Sequence, residues 1–106
     1  MPSVTTKVVG VTFRPGYPGT FHKWAQRTPD RYPKCVLVRD KDNEADRNAV
    51  KVMVARKHVG FVPADLAMRV AELMDSGVPL EAEVVSIDVI PDLHNNPSME
   101  IKITRP

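Results

Sequence analysis

Aromatic and basic residues are concentrated in one stretch of this chain, and together they suit nucleic-acid binding. Five of the six aromatic residues lie between Phe13 and Tyr32. From Arg14 to Lys34 there are five basic residues and one acidic residue, a net charge of +4, whereas the rest of the chain sums to −2. Aromatic faces stack on unpaired bases and Lys or Arg neutralise phosphates, so a surface that carries both predicts binding to single strands.

The same aromatic residues could have other roles. Phe13 and Phe61 lie in predicted strands and could point inward, because a chain with few aromatic residues needs them for its core. Tyr17 and Trp24 are flanked by prolines and charges, so exposure and packing as a lid both remain open. A further alternative is a protein-interaction module, in which the segment 14–33 packs its aromatic residues on a partner or a second copy.

An acidic run follows, with carboxylates at alternate positions: Asp40, Asp42, Glu44 and Asp46. This spacing is similar to the first half of a calcium-binding loop. Such a loop needs glycine at its sixth position and glutamate at its twelfth, and counting from Asp40 these positions hold Ala45 and Lys51. We therefore predict no calcium site in this run.

Other residues suited to metal or nucleophilic chemistry are isolated in the sequence. His22, His58 and His94 lie in different predicted elements, and none has a second ligand nearby at zinc spacing. The single cysteine, Cys35, begins an apolar run and is predicted to be a small strand residue rather than a catalytic thiol. There is no glycine-rich phosphate loop and no nucleophile elbow. We predict a non-enzymatic protein with no catalytic residue, metal or cofactor.

Six strands and one clear helix must position these residues. β-Branched and alternating apolar residues predict strands over 7–13, 34–39, 49–55, 58–62, 80–89 and 98–104. The third and fourth strands form a hairpin, and 91–97 links the last two. A helix is predicted over 63–76, between Pro63 in its first turn and Gly77 as its C-cap, with a short second helix over 20–27.

This pattern predicts one mainly β domain (α+β) that covers residues 1–106. Short strands with one helix suit a small six-stranded antiparallel barrel, because closure removes exposed sheet edges. No apolar run approaches the roughly 18 residues that span a bilayer, and residues 1–7 lack the apolar stretch of a signal peptide. We therefore expect a cytoplasmic protein with no membrane partner.

Four motifs in a fixed order resemble the HIRAN domain family. They are Val8-Val9-Gly10-Val11, Leu37-Val38-Arg39-Asp40, the segment NEADRNAVKV at 43–52, and Val59-Gly60-Phe61-Val62-Pro63 leading into a helix. The resemblance covers almost the whole chain and is weakest over 14–33. HIRAN domains occur in fork-remodelling DNA translocases of the SNF2 type and as small bacterial or phage proteins.

The resemblance implies a fold similar to an oligonucleotide-binding (OB) barrel and a role in DNA repair. Characterised eukaryotic members capture the 3′ end of single-stranded DNA. The partners implied for this chain are therefore single-stranded DNA, in particular its 3′ ends, and a DNA-processing enzyme.

Carried over by position, the resemblance implies a DNA-binding site with these members: Thr12, Phe13, Arg14, Asn43, Asp46 and Phe61. Phe13 matches an aromatic residue that stacks on the terminal base, and Thr12 a position that is basic in DNA-binding members. Asn43 and Asp46 match a polar pair near the terminal nucleotide, where the Asp46 carboxylate would accept a hydrogen bond from a free 3′ hydroxyl.

The sequence departs from the family pattern at three positions, one within this site and two beside it. Ala45 stands where DNA-binding members have a second tyrosine, and Phe61 and Ala64 stand where they have polar or basic residues. An alternative role also remains open for Asp46 and Asn48, which could cap the turn that leads into the third strand.

Overall fold

A computed structural model describes residues 2–11, 14, 16–89 and 97–106. Its strands are β1 (Ser3–Lys7), β2 (Cys35–Arg39), β3 (Val50–Val54), β4 (Lys57–Phe61), β5 (Glu81–Asp88) and β6 (Ser98–Thr104). Its helices are α1 (Gly19–Ala25) and α2 (Ala64–Asp75), with a short 3-10 turn at Pro29–Arg31. Within these described residues, no helix is long and apolar enough to cross a membrane.

The six strands form one antiparallel sheet in the order β1-β6-β5-β2-β3-β4. The sheet curls until the chain just after β1 meets β4. There Val9 and Phe61 exchange two backbone hydrogen bonds, of 2.9 and 2.8 Å. Between β2 and β5 the pairing is restricted to Cys35 and Ala82. The expected mainly β, OB-like fold is therefore confirmed as a curled half-barrel with two helices.

The core lies inside this curl and follows the alternation of the strands. Val50, Val52 and Val54 of β3 are fully buried, and β6 contributes its alternate residues Met99 and Ile101. Helix α2 covers the core with its Ala67, Val70 and Ala71 face. Alternate strand residues turn outward, which leaves the opposite face of the sheet available for a ligand.

The predicted boundaries are confirmed for most elements and wrong for the first strand. Strand β6 spans the predicted residues, and α1 and α2 differ from their predicted ranges by one or two residues at each end. The first strand, predicted over 7–13, instead ends at Lys7. Gly10 turns the backbone with a φ of 73° soon afterwards, although Val8 and Val11 are still buried in the core. Their apolar character therefore reflects packing around a turn.

The β3–β4 hairpin is confirmed, and it has an irregular register. Ala55 and Arg56 form its two-residue turn, both with positive φ (51° and 65°), as a type I′ turn requires. Further along, Met53 pairs with His58 while Val52 pairs with Gly60, so β4 carries an extra residue, Val59. This is a β-bulge, which changes the face on which the following side chains lie.

Candidate nucleic-acid interface

The bulge in β4 brings His58 and Phe61 together on the outer face of the sheet. In a regular strand, residues three apart lie on opposite faces. Here His58 pairs with Met53 and Phe61 with Lys51, and both partners alternate with the fully buried valines of β3. The two rings meet edge to face, with centroids 4.8 Å apart and an interplanar angle of 85°.

Arg14 completes this cluster from the segment that follows β1. Its Nη1 lies 3.1 Å from Nδ1 of His58, and its guanidinium carbon is 5.8 Å from the centroid of the Phe61 ring. At that distance the cation is attracted by the negative face of the ring. Its Nε is buried and has no hydrogen-bond partner among the described residues. We refer to Arg14, Lys51, His58 and Phe61 as the Phe61 surface.

The hydrogen bonds of His58 define its protonation state. Nε2 lies 2.9 Å from the carbonyl oxygen of Gly60, so it must carry a proton and donate. Nδ1 then has a lone pair and accepts from Arg14, which is always protonated. Burial and the nearby Arg14 charge lower the pKa of His58 from 6.5, and Lys51 acts in the same direction. The imidazole is therefore neutral at physiological pH and keeps Arg14 in place.

The turn between β2 and β3 is held by its own Asx side chains. Oδ1 of Asn43 accepts hydrogen bonds from the backbone N–H groups of Ala45 (3.0 Å) and Asp46 (3.1 Å), and Nδ2 donates to Asp40. Oδ1 of Asp46 accepts from the N–H of Asn48 at 2.8 Å. Asp46 therefore does cap the turn. Its second oxygen, Oδ2, has no hydrogen-bond partner within the part of the chain that the structure describes.

This turn lies at the same end of the sheet as Phe61. It joins the last residue of β2 to the first residue of β3, Val50, and the next residue, Lys51, pairs with Phe61. Asp40 directly follows Arg39, which pairs with Val50 beside Lys51. The fold thus brings Asp40 to the end of the sheet that carries the Phe61 surface, and Asn43 is bonded to Asp40.

Arg39 anchors the turn to the helix, a role that the sequence did not indicate. Its guanidinium donates to the backbone oxygens of Ala49 (2.7 Å) and Arg47 (3.0 Å). It also forms a two-pronged ion pair with Asp75 at the end of α2, and this hydrogen bonding lowers the pKa of Asp75. Arginine suits this place because its planar fork serves several acceptors at once.

Two of the six predicted site residues, Thr12 and Phe13, lie outside the described residues. Of the other four, the structure brings Arg14 and Phe61 together and places Asn43 and Asp46 in one hydrogen-bonded turn. Sequence reasoning missed Lys51 and His58. The regular register of the β3–β4 hairpin could have indicated His58, since it pairs with Met53 before the bulge, whereas the pairing of Lys51 with Phe61 depends on the bulge.

The aromatic residues of the 14–33 segment mostly belong to the core. Phe21 and Trp24 are 2% and 4% exposed, with ring centroids 6.3 Å apart, and Tyr17 packs edge to face on Phe21. The hydroxyl of Tyr17 donates to the carbonyl of Pro97 at 2.7 Å. Trp24 is thus not exposed for stacking on a base or docking on a partner. Of its two open alternatives, exposure and packing, packing holds because α1 lies against the sheet.

Cys35 is buried at the β2–β5 contact, and burial raises its pKa to about 11. A thiol with this pKa stays protonated near neutral pH, and the thiolate is the nucleophilic form. The structure therefore gives Cys35 the role of a small core residue.

The family model described as HIRAN domain matches residues 2–103. The chain belongs to the HIRAN family. HIRAN domains are in general DNA-binding domains and are not catalytic by themselves. A search of curated protein sequences found no match.

Two solved structures share the fold of this HIRAN domain. The crystal structure of the HIRAN domain of human HLTF is 23% identical, with a TM-score of 0.63, over 95% of this chain and 72% of that one. The crystal structure of a protein from Lactobacillus plantarum is 22% identical, with a TM-score of 0.66, over 96% of both chains. At these identities the likeness supports the fold of the domain.

Proposed function

We propose that this HIRAN domain binds single-stranded DNA through the Phe61 surface together with Thr12, Phe13 and the turn 43–48. The observation that carries the proposal is the half-buried ring of Phe61, which lies on the outer face of the sheet against Arg14 and opposite Lys51. A flat ring among cations provides both stacking and phosphate neutralisation. The net charge of +2 is small, so this local arrangement matters more than the total.

The position of Phe13 in the sequence supports a place for it in the same binding site. It immediately precedes Arg14, whose guanidinium lies over the Phe61 ring. The HIRAN resemblance matches Phe13 to an aromatic residue that stacks on the terminal base. We infer that Phe13 and Phe61 contribute two stacking faces to one binding site.

We further propose that the site recognises a 3′ end. The free Oδ2 of Asp46 is available to accept a hydrogen bond from a 3′ hydroxyl while Oδ1 holds the turn. A 3′ phosphate would bring like charges together, which is unfavourable. Action beside a DNA-processing enzyme in DNA repair, within the cytoplasm, stays a prediction from the family resemblance and the sequence.

Titration of a fluorescent single-stranded oligonucleotide at several salt concentrations tests the binding proposal. The affinity should fall as salt rises. Binding of the protein releases counterions from the phosphates, and this release is less favourable at a high salt concentration. Phe61→Leu should lose about 1 to 3 kcal/mol of binding, the usual worth of a stacked base, while Phe61→Trp should retain binding. Phe13→Ala should show a similar loss.

Met68→Ala is the matched control, because Met68 is an apolar residue of α2 that is 61% exposed. It should bind as the parent does. Salt-independent binding, or equal affinity for Phe61→Leu, Phe13→Ala and the parent, would refute a stacking site. Circular dichroism spectra of the variants confirm that each is folded.

A further inference from the structure

We propose that the DNA strand continues from the Phe61 surface across the outer face of β3 and β2, along residues that we call the β2–β3 strip: Lys34, Val36, Val38, Met53 and Arg56. This inference rests on the proposed function and deepens it, because it assigns a path for the nucleotides beyond the stacked end.

Sheet register places the strip on the same face as Phe61. Met53 pairs with His58 on one side and with Val36 on the other, and Lys51 pairs in the same way with Phe61 and Val38. Cross-strand partners point to the same face of a sheet. The side chains therefore form continuous rows from β4 to β2, a distance of about 10 Å over two strand spacings.

The strip is exposed although it is apolar at its centre. Val36 and Val38 are 46% and 41% exposed, which makes them two of the large hydrophobic residues that the core does not use. A groove of about 530 Å³ runs over them, lined also by Met53, Lys34 and Arg56. Apolar side chains in this position can pack against sugars and base faces while the polar backbone of a bound strand stays in water.

Charge favours a polyanion as the occupant. Lys34 and Arg56 are exposed at the rim of the groove, and neither forms an ion pair with any residue that the structure describes. None of the outward-facing residues of the described strands β2 and β3 is acidic. Unpaired cations beside an apolar groove suit the phosphates and bases of a single strand.

The size of the footprint agrees with this path. Single-stranded sites on OB folds cover roughly 4 nucleotides or more, whereas stacking on Phe13 and Phe61 accounts for about two of them. The β2–β3 strip provides the room for the remainder. A dinucleotide would then contact the Phe61 surface alone, and a longer strand would contact both.

Oligonucleotide length separates the two surfaces experimentally. Binding of thymidine oligonucleotides of about two and about eight nucleotides is measured against salt for the parent and for Lys34→Ala/Arg56→Ala. For the longer strand, the slope of log affinity against log salt should fall by about 1.4, since each lost phosphate contact removes about 0.7. For the dinucleotide, the two proteins should bind equally.

Arg69→Ala/Arg105→Ala is the control with the same change in net charge. Both residues are exposed and line a different groove, between β1 and α2. This variant should keep the parent's slope with both oligonucleotides.

Three results would overturn the path while leaving the proposed function intact. The first is an unchanged salt slope for Lys34→Ala/Arg56→Ala on the longer strand. The second is a decrease in the salt slope of this variant on the dinucleotide as large as that on the longer strand. The third is an equally large decrease for the control variant Arg69→Ala/Arg105→Ala on the longer strand. A poly-glutamate peptide provides a further test. If it binds more tightly than the longer strand, and if Lys34→Ala/Arg56→Ala abolishes that binding, the strip belongs to an acidic protein partner and the DNA path is overturned. Failure of the parent to bind either oligonucleotide would overturn the proposed function and this path with it.

Discussion

Arg14 donates a hydrogen bond from Nη1 to Nδ1 of His58 across 3.1 Å, and the bond joins the segment after β1 to the bulge of β4. The two residues are 44 positions apart in the sequence. A histidine can accept this bond only while it is neutral, because both ring nitrogens of the cation are donors. The position of Arg14 over Phe61 therefore depends on the protonation of His58.

Stability should fall in mild acid because of this bond. The pKa of His58 is lowered in the folded protein by burial and by Arg14, so as the pH falls below 6.5 the unfolded chain binds a proton first. The contribution is fully present above the unfolded pKa and is lost as the pH falls through the lower folded value. Urea unfolding at pH about 7.5 and about 5 should show a larger loss for the parent than for His58→Gln.

The two proteins share all their other ionisable groups, so the effects of those groups cancel in that comparison. Equal losses in the parent and in His58→Gln would show that His58 does not couple to folding. Salt dependence of DNA binding, measured at the higher pH, provides a second check that Arg14 is still in place in the variant.

Asp46→Asn should weaken discrimination between 3′ ends while preserving the turn. Asparagine retains a side-chain oxygen that can accept from the N–H of Asn48, so the cap survives, but the negative charge is removed. The parent should prefer a 3′ hydroxyl over a 3′ phosphate, and in Asp46→Asn the ratio of the two affinities should approach one. Competition between otherwise identical oligonucleotides measures this ratio.

Asp42→Asn is the control, because Asp42 is an exposed carboxylate of the same turn. It should retain the preference of the parent. A parent that binds both ends equally would exclude end recognition, and a preference that persists in Asp46→Asn would exclude Asp46 as its source.

Gly60→Ala should open the closure between the Val9 region and β4. A Cβ at this position would collide with the backbone oxygen of Val9 and lie 2.6 Å from Cγ1 of Val8, so the backbone must shift. Overpacking of this kind costs about 1 to 3 kcal/mol. The neighbouring bonds between Val9 and Phe61 should weaken, which hydrogen exchange of these two amides would detect together with a lower unfolding free energy.

Gly19→Ala provides the comparison, because a Cβ at Gly19 would meet nothing within 4 Å. It should leave the exchange of both amides unchanged. If Gly60→Ala is as stable as Gly19→Ala and the amides of Val9 and Phe61 stay protected, the close approach of the Val9 backbone does not require glycine at residue 60.

Arg39→Ala should destabilise the turn 40–49 by about 1 to 3 kcal/mol, because it leaves the carbonyls of Ala49 and Arg47 without their charged donor. Arg39→Lys should recover part of this loss, since an ammonium lacks the planar fork. Urea unfolding measures both. Lys41→Ala removes the exposed partner of Asp75 at 3.8 Å and should change little; a loss as large as that of Arg39→Ala would contradict the proposed anchor.

The amino-acid sequence determined the parts of this protein that depend on local pattern. The alternation of Met99, Ile101 and Ile103 defined β6, and Pro63 and Gly77 bracketed helix α2 closely. The order of the HIRAN motifs indicated the family and an OB-like barrel, which the structure shows as a curled half-barrel. These features are predictable because the direction of a side chain repeats every two residues in a strand and about every 3.6 in a helix.

Tertiary structure decided the features in which that repeat fails, or in which burial in the core competes with exposure on a binding surface. The bulge at Val59 places His58 and Phe61 on one face, which strict alternation would forbid. Trp24 belongs to the segment whose aromatic and basic residues predicted a stacking surface. It is nevertheless buried, because α1 packs against the sheet. An aromatic ring gains free energy in the core or on a base for the same apolar and stacking reasons, so the sequence alone could not separate these roles; only the way that the chain folds over itself does.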